Sequence, residues 1–153
     1  MPVPPVSSRV VAPEEVVQLV TRAERLLSRR LREVLDEQGR SPDEWRVLCI
    51  LADGAGHPMT EIAELAFLPP GTLTKLVDHL VDENLVYRRI DPIDRRRIRA
   101  YMTPRGRTTH DRVTRAVRAA WDQLPMGCEE RGHLADLLRL LVGALDGAPA
   151  PRR

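Results

Sequence analysis

Three consecutive arginines, Arg95, Arg96 and Arg97, are the residues whose type and spacing most clearly suit a chemical task. They follow two aspartates, Asp91 and Asp94, which are near enough in sequence to fix an arginine side chain by charge-assisted hydrogen bonds. Arginine is planar, permanently charged and weakly hydrated, so it fits the narrow minor groove of a nucleic acid. The pattern indicates a cationic tip for nucleic-acid binding; a solvated loop is the alternative, because runs of charge usually face water.

Positive charge is concentrated around this tip. Residues 85–118 carry 11 arginines and 3 aspartates, whereas the whole chain of 153 residues has a formal net charge of only +2. Such a basic segment is typical of a phosphate-binding surface. Within it, residues 85–90 and 98–102 alternate in side-chain character, which predicts two β-strands that present the tip as a hairpin.

A helix-turn-helix is predicted just before the hairpin. A short helix is expected over residues 61–66, with Thr60 as its cap and Ile62 and Leu65 facing inward, and a second helix runs from about Gly71 to Glu83. Its expected buried side consists of Leu73, Leu76, Val77 and Leu80, and its exposed side of Gly71, Thr72, Lys75, Asp78, His79 and Asp82. A tight turn followed by a helix with a polar front is helix-turn-helix geometry.

Longer helices flank this region. Apolar residues spaced by three and four predict a first helix of about 25 residues from Pro13, ended by Gly39. Its apolar stripe makes it either a dimer element or a core helix. Ser41 and Glu44 form a predicted capping box, Thr103 caps a further helix, and a last helix ends near Gly147. Aromatic residues are only 3% of the chain, so the core is expected to be aliphatic and mostly helical.

Several of these segments resemble one family closely. They are Ser41-Pro-Asp-Glu-Trp-Arg-Val-Leu48, Met59-Thr-Glu-Ile-Ala-Glu-Leu65, Gly71-Thr-Leu-Thr-Lys-Leu-Val-Asp-His-Leu80, Asn84-Leu-Val86, Asp91-Pro-Ile-Asp-Arg-Arg96 and Met102-Thr-Pro-Arg-Gly106. Together they are similar to the MarR family of bacterial transcription regulators over about residues 14–145. The resemblance implies a mostly α fold with a small β-hairpin wing, in which a winged helix-turn-helix domain is joined to N- and C-terminal dimerisation helices.

The resemblance also implies roles for particular residues. Thr72, Thr74 and Lys75 match the recognition-helix positions that meet DNA, and Gly71 and His79, on the exposed side of the same helix, complete the predicted contacts there. The predicted wing residues are Asp94, Arg95, Arg96 and Arg97. Arg96, with Arg95, matches the wing-tip arginine that enters the minor groove, and Asp94 matches the carboxylate that orients it. The chain departs from the family pattern at Pro69, which replaces the usual helix cap, and at Gly71, which replaces the usual serine.

A small-molecule pocket is a further expectation from the resemblance. Relatives bind small aromatic acids between the dimer helices and the winged domain, and Trp45, Arg25, Arg29 and Trp121 are the candidate lining residues. Packing in the core is the alternative for both tryptophans. Such an effector would release the protein from DNA.

Other reactive residues give weaker signals. Cys49 lies among apolar residues and is expected to be a buried structural cysteine, whereas Cys128 lies in a polar stretch where it is either a redox-responsive thiol or a solvated side chain. Glu129 and His133 share metal-ligand spacing, but a solvated turn is the preferred interpretation. No phosphate loop, nucleophile elbow or carboxylate pair is present, so neither an enzyme nor a metal or organic cofactor is expected.

The sequence thus predicts a regulator that binds a pseudo-palindromic operator in double-stranded DNA as a homodimer, with a repressor preferred. The alternatives are a winged-helix protein-interaction module and a redox-responsive regulator that uses Cys128. Predicted divisions are an arm (1–13), a dimerisation region (14–38 with 104–146), a DNA-binding domain (41–103) and a tail (147–153). No apolar run could span a membrane and the N-terminus is not signal-like, so a cytoplasmic location is expected.

Overall fold

The computed structural model describes residues 11–147, and the predicted arm and tail lie largely outside that range. The helices and strands are α1 (Pro13–Glu37), α2 (Pro42–Ile50), β1 (His57–Pro58), α3 (Met59–Ala66), α4 (Pro70–Asp82), β2 (Val86–Ile90), β3 (Ile98–Met102), α5 (Pro104–Asp122) and α6 (Cys128–Asp146), with a short 3-10 turn at Leu51–Asp53. The mostly α fold with a small antiparallel sheet is therefore confirmed. None of the helices in this part of the chain combines the length and apolar character that crossing a bilayer requires.

The chain divides into two compact units, one ending at Arg118 and the other beginning at Ala119. The first contains an aliphatic core built from α2, α3, α4 and the sheet. Its buried members are Val47, Leu48, Leu51, Ile62, Ala63, Ala66, Leu73, Val77, Leu80, Leu85, Val86 and Ala100. This core fixes α4 against α3 and against the strands of the hairpin, so the two predicted DNA-contacting elements share one support.

Local capping interactions set most helix boundaries. The Ser41 hydroxyl accepts a hydrogen bond from the Glu44 N–H, and the Glu44 carboxylate accepts one from the Ser41 N–H, which confirms the capping box. Thr103 accepts a hydrogen bond from the Gly106 N–H at 2.9 Å and so caps α5. Asn84 adopts a left-handed conformation, with φ of 58°, and ends α4 as expected.

The sheet contains a strand that the sequence analysis did not predict. Its order is β1-β3-β2, and β1 pairs antiparallel with β3 through His57 and Pro58. The hairpin strands β2 and β3 pair over their whole length, with Tyr87 opposite Tyr101 and their rings stacked at 5.3 Å. The wing therefore has three strands, and β1 anchors the β2–β3 hairpin to the start of α3.

Two expectations about α3 were wrong. The helix begins at Met59 after Pro58, and Thr60 lies inside its first turn with no capping hydrogen bond from its side chain. Leu65 is 52% exposed, whereas Ala63 and Ala66 are buried beside Ile62. The helix turns these small residues towards the core because α2 and α4 pack closely there, which leaves Leu65 on the outside.

The apolar faces of the first and last helices are only partly covered within one chain. Leu35 is the buried residue of α1, while Val16, Val20 and Leu27 along its stripe are exposed. In α6 no residue is buried, and Leu137, Leu138 and Leu145 are exposed. Core packing within the chain therefore does not account for the stripe in the first half of α1.

Candidate nucleic-acid interface

The predicted recognition helix presents an open polar front. Pro69 precedes α4 as its N-cap and Pro70 occupies the first position, so the missing side-chain cap leaves the helix start within one residue of the expected one. The predicted contact residues Gly71, Thr72, Thr74, Lys75 and His79 are all exposed. Nothing lies within 4 Å of a Cβ built on Gly71, so this end of the helix is open to close approach by a ligand.

Two aspartates hold the wing tip in one shape. Asp91 Oδ1 accepts hydrogen bonds from the main-chain N–H groups of Ile93 (2.8 Å) and Asp94 (3.1 Å), and Asp91 Oδ2 lies 3.0 Å from Arg99 Nε. Asp94 Oδ1 accepts a further bond from the Arg96 N–H at 3.1 Å. The tip is thus built from two consecutive side-chain-capped turns, which limits the conformations open to the three arginines.

The carboxylate of Asp94 does not orient Arg96 in the way the resemblance implied. Its Oδ2 lies 3.3 Å from Nε of Arg97, and its only contact with Arg96 is through the main chain. Within residues 11–147 no ion pair involves the guanidinium of Arg95 or Arg96, and both side chains are exposed. The spacing along the tip brings Arg97 back towards Asp94 because the chain turns between them, with the Arg97 N–H bonded to the Asp94 carbonyl.

A strand arginine joins the wing to the predicted recognition helix. Nη1 of Arg88 in β2 lies 2.6 Å from Oδ1 of Asp78 on α4, and its Nη2 donates to the Thr74 carbonyl at 3.4 Å. The polar front of α4 and the wing are therefore adjacent surfaces of one unit. The sequence analysis missed this contact; the only signal was that Arg88 shares a strand face with Val86, which is buried.

His79 belongs to a charged cluster at the other end of α4. Its Nε2 lies 3.3 Å from Oε1 of Glu44 and 3.8 Å from Oε2 of Glu83, and the Arg40 guanidinium forms a two-pronged pair with Glu83. Hydrogen bonding to Arg40 lowers the pKa of Glu83. Glu44, His79 and Glu83 could together offer three metal ligands, and the Arg40 guanidinium already pairs with both carboxylates.

The candidate pocket residues do not all line one cavity. A groove of about 410 Å³ runs along α1 and is lined by Val17, Gln18, Thr21, Arg22, Arg25 and Leu26. Arg25 borders this groove, whereas Trp45 and Arg29 are absent from its lining, so a pocket between the dimer helices and the winged domain stays a prediction. Trp121 belongs to the second unit, where it is partly buried.

The two cysteines differ in environment. Cys49 is half-buried on α2, and burial raises the pKa of its thiol to about 11, so the thiol stays protonated at neutral pH. Cys128 is exposed as the first residue of α6. Glu129 and His133 lie on that helix and not in the expected turn.

Taken together, a helix-turn-helix with an open polar front and an adjoining three-stranded basic wing define a winged helix-turn-helix protein. The sequence model of the MarR family matches residues 41–98, which include α2, α3, α4 and most of the wing. Over this region the chain is similar to the MarR family of transcriptional regulators.

Individual relatives show the same similarity. The chain is 30% identical over 88 residues to the HTH-type transcriptional regulator MhqR of Bacillus subtilis, and the match covers 58% of this chain and 61% of that relative. A MarR-family regulator from Silicibacter pomeroyi superimposes with a TM-score of 0.70 at 27% identity, covering 87% of this chain and 90% of the other. A mutant MarR from E. coli, solved with operator DNA, has a TM-score of 0.70 at 22% identity over 83% of this chain and 93% of its own.

Proposed function

We propose that this protein is a sequence-specific DNA-binding repressor that recognises a pseudo-palindromic operator as a homodimer. The observation that carries the proposal is the contact of Arg88 with Asp78 and Thr74, which sets the wing beside the polar front of α4. One duplex can then meet the helix in its major groove and the arginines of the wing in the adjacent minor groove.

The charges of these two surfaces support DNA as the partner. Lys75 lies on the exposed front of α4, and Arg95, Arg96 and Arg97 are exposed at the wing tip. Each of these cations can replace counterions on a phosphate backbone, and an arginine in a narrow minor groove gains from its enhanced negative potential. The related MarR solved with operator DNA has the same fold.

A homodimer is supported by the apolar surface that one chain leaves uncovered. The exposed stripe of α1 and the exposed leucines of α6 fall in the two segments assigned to the dimerisation region. Burying each large aliphatic side chain contributes about 1.5–3 kcal/mol, so a second copy could stabilise both faces. A dimer would place two recognition helices about one helical turn apart on one side of the duplex.

An electrophoretic mobility shift with DNA from upstream of the protein's own coding region tests this function. We expect a complex that resists excess random-sequence competitor and disappears with excess specific competitor. If the chain is a protein-interaction module instead, the two competitors will act alike. Repeating the mobility-shift assay with a panel of aromatic acids tests for the predicted effector. Such an effector should release the DNA by changing the distance between the two wings of the dimer.

Substituting the wing-tip arginine tests the role of the wing. Arg96→Ala should weaken binding about tenfold to operator and random DNA alike and reduce the salt slope of log K by about one, because one phosphate-side cation is lost. Arg112→Ala is the matched control, since Arg112 is an exposed arginine of α5. Equal affinities and salt slopes for the two variants would show that the wing-tip arginine does not contribute to DNA binding.

A further inference from the structure

Asp78 is an unusual residue to find on a surface that approaches DNA. It lies on the exposed front of α4, one turn after Thr74 and next to the face that carries Lys75, and its side chain is 53% exposed. A free carboxylate there would repel the phosphate backbone and oppose binding. The contact with Arg88 gives this carboxylate a different role.

Arg88 reaches Asp78 from the wing. Its main chain lies in β2 opposite the buried Ala100, on the strand face shared with the buried Val86, so the base of its side chain is fixed by the core. Only 29% of the side chain is exposed. From there the guanidinium crosses to α4, pairs with Asp78 at 2.6 Å and also contacts the Thr74 carbonyl at 3.4 Å.

We propose that Asp78 and Arg88 form a positioning pair that sets the separation and angle between the recognition helix and the wing. The pair determines operator specificity because both elements must meet adjacent grooves of one duplex at the same time. Asp78 and Arg88 hold α4 and the wing in place and do not themselves contact the bases. The proposal rests on the DNA-binding function proposed above.

Rigidity is the physical reason for the effect. A partly exposed ion pair contributes little to folding stability, so its loss should leave the protein folded. The pair instead preorganises the DNA-binding surface. Without the pair, the wing and α4 lose conformational entropy relative to each other when DNA binds, and this loss lowers the affinity. Random DNA, which demands no fixed register between base contacts, is less sensitive to this loss.

The direction in which one substitution changes the operator affinity distinguishes positioning from simple electrostatics. Asp78→Asn removes one negative charge, so electrostatics alone predicts tighter binding to any DNA. Positioning predicts that operator binding weakens about tenfold while binding to random DNA stays equal or tightens. Asp82→Asn is the matched control, because Asp82 lies one turn further along the exposed side of α4 and has no ion pair within residues 11–147.

Exchanging the two charges tests the pair itself. The double variant Asp78→Arg with Arg88→Asp keeps the net charge and can re-form the contact, so we expect operator affinity to return to within about threefold of the original protein. If Arg88 instead contacts a phosphate directly, the exchange will not restore affinity and the salt slope will fall by about one.

Hydroxyl-radical footprinting supplies a readout that loss of folding would not mimic. In Asp78→Asn we expect the protection by the wing to weaken at the flanks of the operator while the protection by α4 persists, with circular dichroism unchanged. Asp78→Asn binding the operator as tightly as Asp82→Asn would overturn the positioning role. If the original protein does not distinguish operator from random DNA, the proposed function fails, and this inference fails with it.

Discussion

At the scale of single residues, Asp91 shapes the wing before any DNA is present. Its carboxylate accepts two main-chain N–H groups of the tip and pairs with Arg99. The N–H groups of Ile93 and Asp94 lower the pKa of Asp91 below its ordinary value. The carboxylate therefore supports the tip at neutral pH, and this support is lost only as the pH falls through the lowered pKa.

Two substitutions of Asp91 should separate its hydrogen bonds from its charge. Asp91→Ala removes the acceptor for both N–H groups, so we expect operator affinity to fall by roughly tenfold as the arginines lose their fixed arrangement. Asp91→Asn keeps a carbonyl oxygen that can accept the same bonds and loses only the ion pair with Arg99, so we expect a much smaller loss of operator affinity.

Fluorescence anisotropy with labelled operator DNA measures both variants. The prediction fails if Asp91→Asn weakens binding as much as Asp91→Ala, since charge and not the acceptor would then hold the tip. Thermal unfolding should be nearly the same for both variants, because the tip lies outside the aliphatic core.

At the scale of elements, His57 ties the loop after α2 to the first turn of α3. Its Nε2 lies 2.8 Å from Oδ2 of Asp53, and its Nδ1 lies 3.2 Å from Oε2 of Glu61. Both ring nitrogens can donate to carboxylates only when the imidazole is protonated. Partial burial lowers the pKa of His57, but the two hydrogen bonds outweigh this effect and raise the pKa above its ordinary value.

This bridge predicts a pH dependence of stability with a definite sign. Because the folded-state pKa is raised, the contribution is complete below the ordinary histidine pKa of about 6.5 and is lost as the pH rises through the raised value. The difference in unfolding free energy between the original protein and His57→Gln should be larger at pH 5.5 than at pH 8.5, by about 0.5–1 kcal/mol.

Urea unfolding at several pH values measures this difference. His133→Gln is the control, because His133 is exposed on α6 and has no ion pair within residues 11–147. This variant supplies the background profile against which His57→Gln is compared. The same profile for both variants would show that the imidazole bridge does not contribute to folding.

At the scale of the whole molecule, the exposed stripe of α1 predicts self-association. Leu27 lies on that stripe and is exposed in the single chain. Leu27→Glu should convert a dimer of the 17.3 kDa chain into monomers, because an unpaired carboxylate would be buried at the contact. Arg32→Gln changes the charge by the same amount at an exposed position off the stripe and should leave the dimer intact.

Sedimentation velocity and operator binding should be measured together for these variants. A monomeric Leu27→Glu should also lose most operator affinity, since two half-sites can no longer be engaged at once. If Leu27→Glu still sediments as a dimer, α1 is not the contact and the exposed leucines of α6 become the next candidates.

The sequence by itself determined the features that depend on near neighbours. Residue types at spacings of a few positions predict three such features: the capping box of Ser41 and Glu44, the turn at Asn84 and the aliphatic side of α4. The basic tip was also predicted from the sequence, because the net charge of a segment follows from its composition alone.

Only the tertiary structure decided which distant groups meet. The two-residue strand at His57 is too short to show alternation and exists because it pairs with β3 about forty residues later. The exposure of Leu65 and the contact of Arg88 with Asp78 likewise depend on packing between elements. A carboxylate pairs with the cation that the fold brings within about 4 Å, and sequence spacing alone does not specify that neighbour.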